Sequence, residues 1–191
     1  MNKVLKYLTL YDIFFLGGFG LLSPIFAIYI NDKISGGSIL AAGTSVTIYV
    51  LTKAIIQIPT SKYTDRENGN KREFYTMLTG SIIIALVPLF YLGARNIMEI
   101  YLIQFIFGIG HGLSYPGWMT IFSRFIEKGK EGYGWSSYNT YVTLATASTA
   151  MIGGYIAQNF GFRLVFISLF IFIIISIILT LKMHKHITKK E

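Results

Sequence analysis

The sequence predicts an all-α integral membrane protein with six transmembrane helices, and three observations carry that expectation. The chain is 53% apolar and only 14% charged, where a soluble domain carries about a quarter charged residues. Its apolar residues fall in long continuous runs, not in the ten-residue alternation of barrel strands. Lysine and arginine collect in alternate connections between those runs.

A helix crossing about 30 Å of hydrocarbon needs roughly 20 mostly apolar residues. Runs of that length lie at 8–30, 38–60, 74–93, 97–125, 134–159 and 162–182. The first follows Lys3 and Lys6 as a signal peptide would. It is too long for one, contains Asp12 and lacks a small-residue cleavage site, so it is expected to be retained. A turn at Asn31-Asp32-Lys33 separates it from the second run, which ends in the polar stretch from Lys62 to Glu73. The third closes at Ala94-Arg95-Asn96 and the fourth at the segment Glu127 to Gly132. The fifth is rich in small and hydroxyl residues, and Asn159-Phe160-Gly161 divides it from the sixth. From Leu164 to Leu181 the sixth is almost wholly aliphatic and aromatic and carries no charge, so it has nothing to offer a solute. Residues 1–191 read as a single six-helix membrane domain, with no soluble domain at either end.

Orientation follows from the basic residues. Lys3, Lys6, Lys62, Arg66, Lys71, Arg72, Arg124, Lys128, Lys130, Lys182, Lys185, Lys189 and Lys190 fall on one side, 13 of the 17. Lys33, Arg95 and Arg163 fall on the other, and Lys53 lies within the membrane. The positive-inside rule then places both termini in the cytoplasm of a multi-pass protein of the cell membrane. The net charge of +8 is accounted for by topology, so no nucleic-acid partner is expected.

The absence of cysteine removes disulfides, cysteine-ligated metals and thiol nucleophiles. No nucleotide-binding loop is present, and no cofactor or metal is expected. Gly112-Leu113-Ser114 superficially resembles the nucleophile motif of six-helix intramembrane serine proteases. Tyr115 replaces its last glycine and the sixth helix carries no base, so the chain does not read as an enzyme.

An internal repeat organises the helices. Gly18, Gly20, Leu21 and Pro24 precede Gly110, Gly112, Leu113 and Pro116 by 92 residues, at matching depths of the first and fourth helices. The expectation is a 3+3 inverted repeat, a construction found in secondary transporters. Gly20, Pro24, Gly112 and Pro116 are its candidate hinges, because proline removes a backbone hydrogen bond.

Three stretches then resemble the major facilitator superfamily. Ser61-Lys-Tyr-Thr-Asp65-Arg66-Glu-Asn-Gly69-Asn-Lys71-Arg72 is similar to its loop motif G-x-x-x-D-R-x-G-R-R, with Ser61 for the first glycine and one additional residue before Gly69. Gln104-Phe-Ile-Phe-Gly108-Ile-Gly110 resembles R-x-x-x-G-x-G, with Gln104 in place of arginine. Gly153-Gly154 through Gly161-Phe162-Arg163 resembles a G-G…G-W-R stretch, with Phe162 for tryptophan. The resemblance covers essentially the whole chain and implies one half of a twelve-helix fold. It therefore implies either a homodimer or a separate partner half. It also implies that helices two and five meet the other half while three and six face lipid. Asp65, Arg66, Gly69, Lys71 and Arg72 would then form a cytoplasmic latch, with Asp65 facing the start of the partner's fifth helix.

Ionisable residues inside a membrane cost about 2.5–3.5 kcal/mol on insertion scales, so each needs a cavity or a partner. Lys53 is centred in a stripe of Ser45, Tyr49, Lys53, Gln57 and Ser61 at i, i+4 spacing. It either reaches a carboxylate on another helix or faces an aqueous cavity and meets an anionic group. Gln104, Gly108, His111, Tyr115 and Trp118 share one face of helix four, where His111 is either a packed polar contact or part of the path. Asp12 is wetted by headgroups, protonates during transport, or partners Lys53. On helix five, Asn139 and Thr143 are candidates for the path, among small residues suited to an interface. The expected function is secondary transport of a small solute by alternating access, working as a homodimer of six-helix halves in the lipid bilayer. The alternatives are a non-transporting structural or regulatory membrane protein, or one half of a hetero-oligomeric carrier.

Overall fold

The computed structural model describes residues 2–66 and 69–187. Glu67 and Asn68 of the loop motif, and Lys189 and Lys190 of the basic tail, lie outside the described residues. The helices are α1 (Lys3–Leu22), α2 (Phe26–Lys33), α3 (Ile39–Thr64), α4 (Lys71–Gly93), α5 (Ile97–Phe125), α6 (Glu131–Phe160) and α7 (Phe162–Ile187), with a 3-10 turn at Ser23–Ile25 joining the first two.

Capping explains most of the differences from the expected spans. Asn2 accepts a hydrogen bond from the Val4 N–H at 3.1 Å, so α1 starts before its apolar run does. Ser38 does the same for Ala41 at 3.0 Å at the start of α3. Asn96 and Glu99 form a reciprocal capping box that starts α5 at the expected residue. The turn expected at Asn31-Asp32-Lys33 is instead the last turn of α2. Thr60 and Ser61 donate to the carbonyls four residues back, and α3 continues through them to Thr64. Hydroxyls that bond their own helix in this way leave no unsatisfied polar group facing lipid.

Five helical segments are long and apolar enough to cross a membrane, α1 and α2 counting as one, where the sequence predicts six. The difference is α6. It has 30 residues, ample by length, but Ser136, Asn139, Thr140, Thr143 and Ser148 lower its apolar character. Only Val142, Thr149 and Gly153 of α6 are buried.

Packing is organised around two helices. α5 lies against α3 and α4, α1 lies against α6 and α7, and α4 meets α7 between them. Glycines set these contacts. A methyl group built on Gly18 would meet Leu169 and Phe172 of α7, and one on Gly110 would meet Gly80 and Ile84 of α4. On Gly20 it would meet Thr146 and Thr149 of α6, and on Gly112 it would meet Lys53 and Ile56 of α3. Stacking of Tyr7 on His186, with ring centroids 5.6 Å apart, brings the start of α1 to the end of α7. At the opposite end, Ser35 pairs with the Arg95–Ile97 backbone through hydrogen bonds of 2.9 and 3.1 Å. Buried side chains such as Leu8, Met77, Ile84, Ile100 and Leu169 fill the contacts between.

Adjacent glycines on α6 provide a test of this packing. A Cβ on Gly153 would stand 2.0 Å from the Leu21 carbonyl oxygen, whereas one on Gly154 meets nothing within 4 Å. Gly153→Ala should cost about 1–3 kcal/mol through overpacking, and Gly154→Ala should be neutral or stabilising through helix propensity. Thermal denaturation in detergent measures the difference; equal melting temperatures would remove the α1–α6 contact from the account.

Candidate functional site

Two chambers lie between the central helices. One, of about 180 Å³, is lined by Tyr11, Asp12, Phe15 and Leu16 of α1, Lys53 of α3, His111, Ser114, Tyr115 and Trp118 of α5, and Tyr138 of α6. The other, of about 260 Å³, continues toward the 3-10 turn and includes Phe19, Phe26, Tyr49, Tyr91, Gln104 and Phe107. Phe15, Leu16 and His111 line both, so the chambers adjoin.

The polar chamber holds its charges apart. Asp12 is 6% exposed and accepts a hydrogen bond from the Tyr138 hydroxyl at 2.7 Å. That contact ties α1 to α6. Lys53 approaches from α3, with its ammonium 4.5 Å from the centroid of the Tyr115 ring, a cation–π contact worth about 0.5–2 kcal/mol. Among the described residues Lys53 rests on an aromatic face of α5, not on a carboxylate. Asp12 is thus on the α1–α6 side of the chamber and Lys53 on the α3–α5 side.

Hydroxyls and rings hold the floor. The Tyr11 hydroxyl lies 2.9 Å from Ser81 Oγ and 3.3 Å from Ser114 Oγ, joining α1, α4 and α5. The Tyr49 hydroxyl lies 2.6 Å from His111 Nδ1. Tyr49 also stacks on Phe107, which stacks on Phe19, with centroids 4.3 and 4.7 Å apart. Trp118 packs against Trp135 and Tyr138. Its indole N–H and the side-chain oxygen of Gln104 are buried without a hydrogen-bond partner. Such groups cost about 1–3 kcal/mol each when left unpaired, and both atoms are enclosed by the protein and not open to a solute in the chambers.

Most of the path residues expected from the sequence come together here: Asp12, Lys53, Tyr49, Gln104, His111 and Tyr115 all line one chamber or both. Gln57 is partly exposed on α3 and lies outside both. Asn139 and Thr143 are exposed on α6, in a separate hollow with Ser136, Thr140 and Leu144. Of the candidate hinges, Pro24 sits in the 3-10 turn that interrupts the first span, while Pro116 lies inside an unbroken α5. Gly20 and Gly112 are at close helix contacts.

In the loop motif, Asp65 caps the end of α3 through its backbone, and Arg66 is exposed beside it. Arg72 bonds the Tyr63 carbonyl at 3.2 Å and covers the Tyr63 ring. Lys71 opens α4. Arg124 holds the returning strand of the loop: it pairs with buried Glu73 at 2.7 Å and bonds the Gly69 carbonyl and Asn70. A wider hollow of about 630 Å³ lies beside Arg124, between the start of α1 and the α5–α6 connection. Its charges are already paired: Lys130 bonds Glu127 at 2.8 Å, which holds that carboxyl below its ordinary range. The polar chamber is therefore the better candidate for binding.

Sequence reasoning missed Tyr11, Tyr138 and the Arg124–Glu73 pair. Tyr138 is 126 residues from Asp12, beyond any local spacing. Glu73 was a detectable signal, since an acidic residue at the edge of a membrane span needs a partner.

Comparison with known proteins agrees with this architecture. The family model of the Major Facilitator Superfamily matches residues 8–190. An uncharacterized MFS-type transporter of Bacillus subtilis (strain 168), YitZ, is 21% identical over 146 residues, covering 76% of this chain and 85% of that protein. The in meso crystal structure of the POT family transporter PepTSo matches with a TM-score of 0.80 at 13% identity. That match covers 97% of this chain and 38% of the transporter's length. With a family match spanning nearly every described helix, the chain belongs to the Major Facilitator Superfamily, a family of membrane transporters.

Proposed function

We propose that the protein is a secondary transporter that moves a small solute by alternating access, with two six-helix units enclosing the path. One observation carries the reading: a buried carboxylate and an ammonium line the same chamber between helices of a membrane protein, each held by an aromatic residue instead of by the other. Charges in such a place are costly unless they face water or a ligand. In this reading Asp12, Lys53, Tyr49, Gln104, His111 and Tyr115 form the path, with Gln57 at its edge.

The internal repeat supports alternating access. The first span and α5 carry matching glycines that face matching helices: Gly18 and Gly110 meet α7 and α4, while Gly20 and Gly112 meet α6 and α3. Two three-helix units related in this way can exchange conformations about a central site. The 3-10 turn at Pro24 favours bending there. In α5, bending at Pro116 needs no interruption in the resting helix, because the proline has already removed a hydrogen bond.

α6 supports a six-span topology with a second unit against it. Its exposed face, with Ser136, Asn139, Thr140 and Thr143, is more polar than a lipid-facing helix, as an interface or water-filled path requires. α7 instead exposes Leu164, Ile171, Ile178 and Leu181, as expected for a helix in lipid. A second copy in the same orientation places Asn139 and Thr143 on the shared path and leaves both termini in the cytoplasm. The Arg124–Glu73 pair would fix the loop so that Asp65 can latch against the partner's α6.

Two measurements test this. The cysteine-free background permits Ser61→Cys and Ser136→Cys on separately tagged copies. These should form an interchain disulfide in native membranes, while Ile171→Cys on α7 should not; a missing band would remove the homodimer. Lys53→Cys should react with a membrane-impermeant thiol reagent from one side, whereas Ala85→Cys, at the 5% exposed position on α4, should not. Complete protection of position 53 from both sides would remove the aqueous path.

A further inference from the structure

We infer that the paired chambers bind a compact zwitterion with an apolar side group, such as an aromatic amino acid, with its carboxylate on Lys53 and its ammonium on Asp12. The inference rests on the carrier reading and names the substrate class of that site.

Both kinds of charge are present in one chamber, on opposite sides of it. Asp12 comes from α1, on the side packed against α6, and Lys53 from α3, on the side packed against α5. An ionised carboxylate has about four lone-pair positions, and the only side-chain bond that Asp12 accepts among the described residues is from Tyr138. Lys53 has three donors, and its ammonium is placed over the Tyr115 ring. Each charge is therefore held in position with bonding capacity to spare. A ligand carrying only an anion would meet Lys53 but also face Asp12, and one carrying only a cation would meet the reverse. A zwitterion satisfies both, and it adds no net charge to a chamber in which charge is costly.

The remaining features of the site fit the rest of such a ligand. Trp118, at the wall of the polar chamber, has a buried indole N–H with no acceptor. That N–H is enclosed by the protein, so Trp118 contributes its ring to the wall and no donor to the ligand. The adjoining chamber is mostly aromatic, lined by Phe19, Phe26, Tyr91 and Phe107 with Gln104 and His111 on its wall, and it takes an apolar group through offset or edge contacts. The hydroxyls of Tyr11 and Tyr49 are already bonded to Ser81 and His111, so Asp12 and Lys53 are the charged determinants, with Gln104 and Tyr115 as neutral polar residues beside them.

The test is binding of radiolabelled L-phenylalanine to the protein in nanodiscs, competed by 3-phenylpropionate, which lacks the ammonium, and phenethylamine, which lacks the carboxylate. Phenylalanine should bind about tenfold or more tightly than either analogue, the scale of one hydrogen bond to a charged group. Asp12→Asn should abolish its advantage over 3-phenylpropionate, and Lys53→Gln its advantage over phenethylamine. Size-exclusion profile and the emission of Trp118 and Trp135 verify that both variants are folded. Should either variant be misfolded, the ranking of the three compounds on the unaltered protein decides alone. Absence of phenylalanine binding, or an analogue that binds as well, overturns the inference. Proteoliposome uptake separates the two levels: transport of some other solute without this ranking defeats the zwitterion and keeps the carrier. The ranking without uptake of phenylalanine defeats the carrier and keeps the site.

Discussion

Close approach of helix backbones is the constraint on which the rest of this structure depends. Within lipid, apolar side chains gain nothing by leaving one hydrocarbon environment for another, so helices associate through tight packing and a few polar contacts. Here the tight contacts are glycines: Gly80 against Gly110, Gly117 against Glu73, Gly108 and Gly112 against α3, and Gly153 against Leu21. Interhelical hydrogen bonds in membranes average about 0.6 kcal/mol. The Tyr11 bonds to Ser81 and Ser114 therefore contribute less than the loss of one such close contact, at about 1–3 kcal/mol. The tyrosine positions the helices; the glycines hold them.

That packing also decides where the space is left. α1 and α5 are each committed to two neighbours, and the contact between them is slight. The chambers form along that weak seam, so residues on the facing sides of α1 and α5, among them buried Tyr11, Phe15 and Trp118, line them. The arrangement is selective about polarity. Hydroxyls on the outer surfaces of α3 and α6 bond back to their own helices, as Thr44, Thr47, Thr140 and Ser148 do. Side chains lining the chambers instead bond to other helices, as Tyr138 does to Asp12 and Tyr49 to His111, while Tyr11 meets Ser114 across the seam.

Much of this was legible in the sequence because membrane helices announce themselves by length and apolarity. The glycine spacing shared by the first and fourth predicted spans pointed to residues that do make close contacts. The i, i+4 relation of Tyr49 to Lys53, and of His111 to Tyr115, placed four chamber residues on the correct faces. What the sequence could not supply was partnership between helices. For Asp12 the sequence left headgroup wetting, protonation and a partnership with Lys53 open, because depth along one helix does not show that α6 packs beside it with Tyr138. The ends of helices were also misjudged: caps such as Asn2 and back-bonding hydroxyls such as Ser61 extend them beyond their apolar runs. α6 is expected as the fifth span at 134–159 and is a helix of the bundle packed on α1, although its polar residues keep it from the segments apolar enough to cross a membrane.

The separation of Asp12 from Lys53 is the feature that packing alone does not require. A direct ion pair would neutralise both charges and close the seam, yet each is held by an aromatic residue on its own side. A pair joined in the resting state has to be broken before a ligand can enter, at the cost of exposing two charges in a poorly hydrated place. Charges held apart by Tyr138 and Tyr115 avoid that step, because the ligand has no salt bridge to displace. The tyrosines also differ in what they give up. Tyr138 loses little when Asp12 accepts a further bond, since a carboxylate accepts several. Tyr115 offers Lys53 only its ring face, which leaves available the ammonium donors that point away from the ring. On this account the aromatic residues around the chamber hold two opposite charges apart, Asp12 on α1 and Lys53 on α3, and the proposed zwitterion is a ligand whose two charged groups match them.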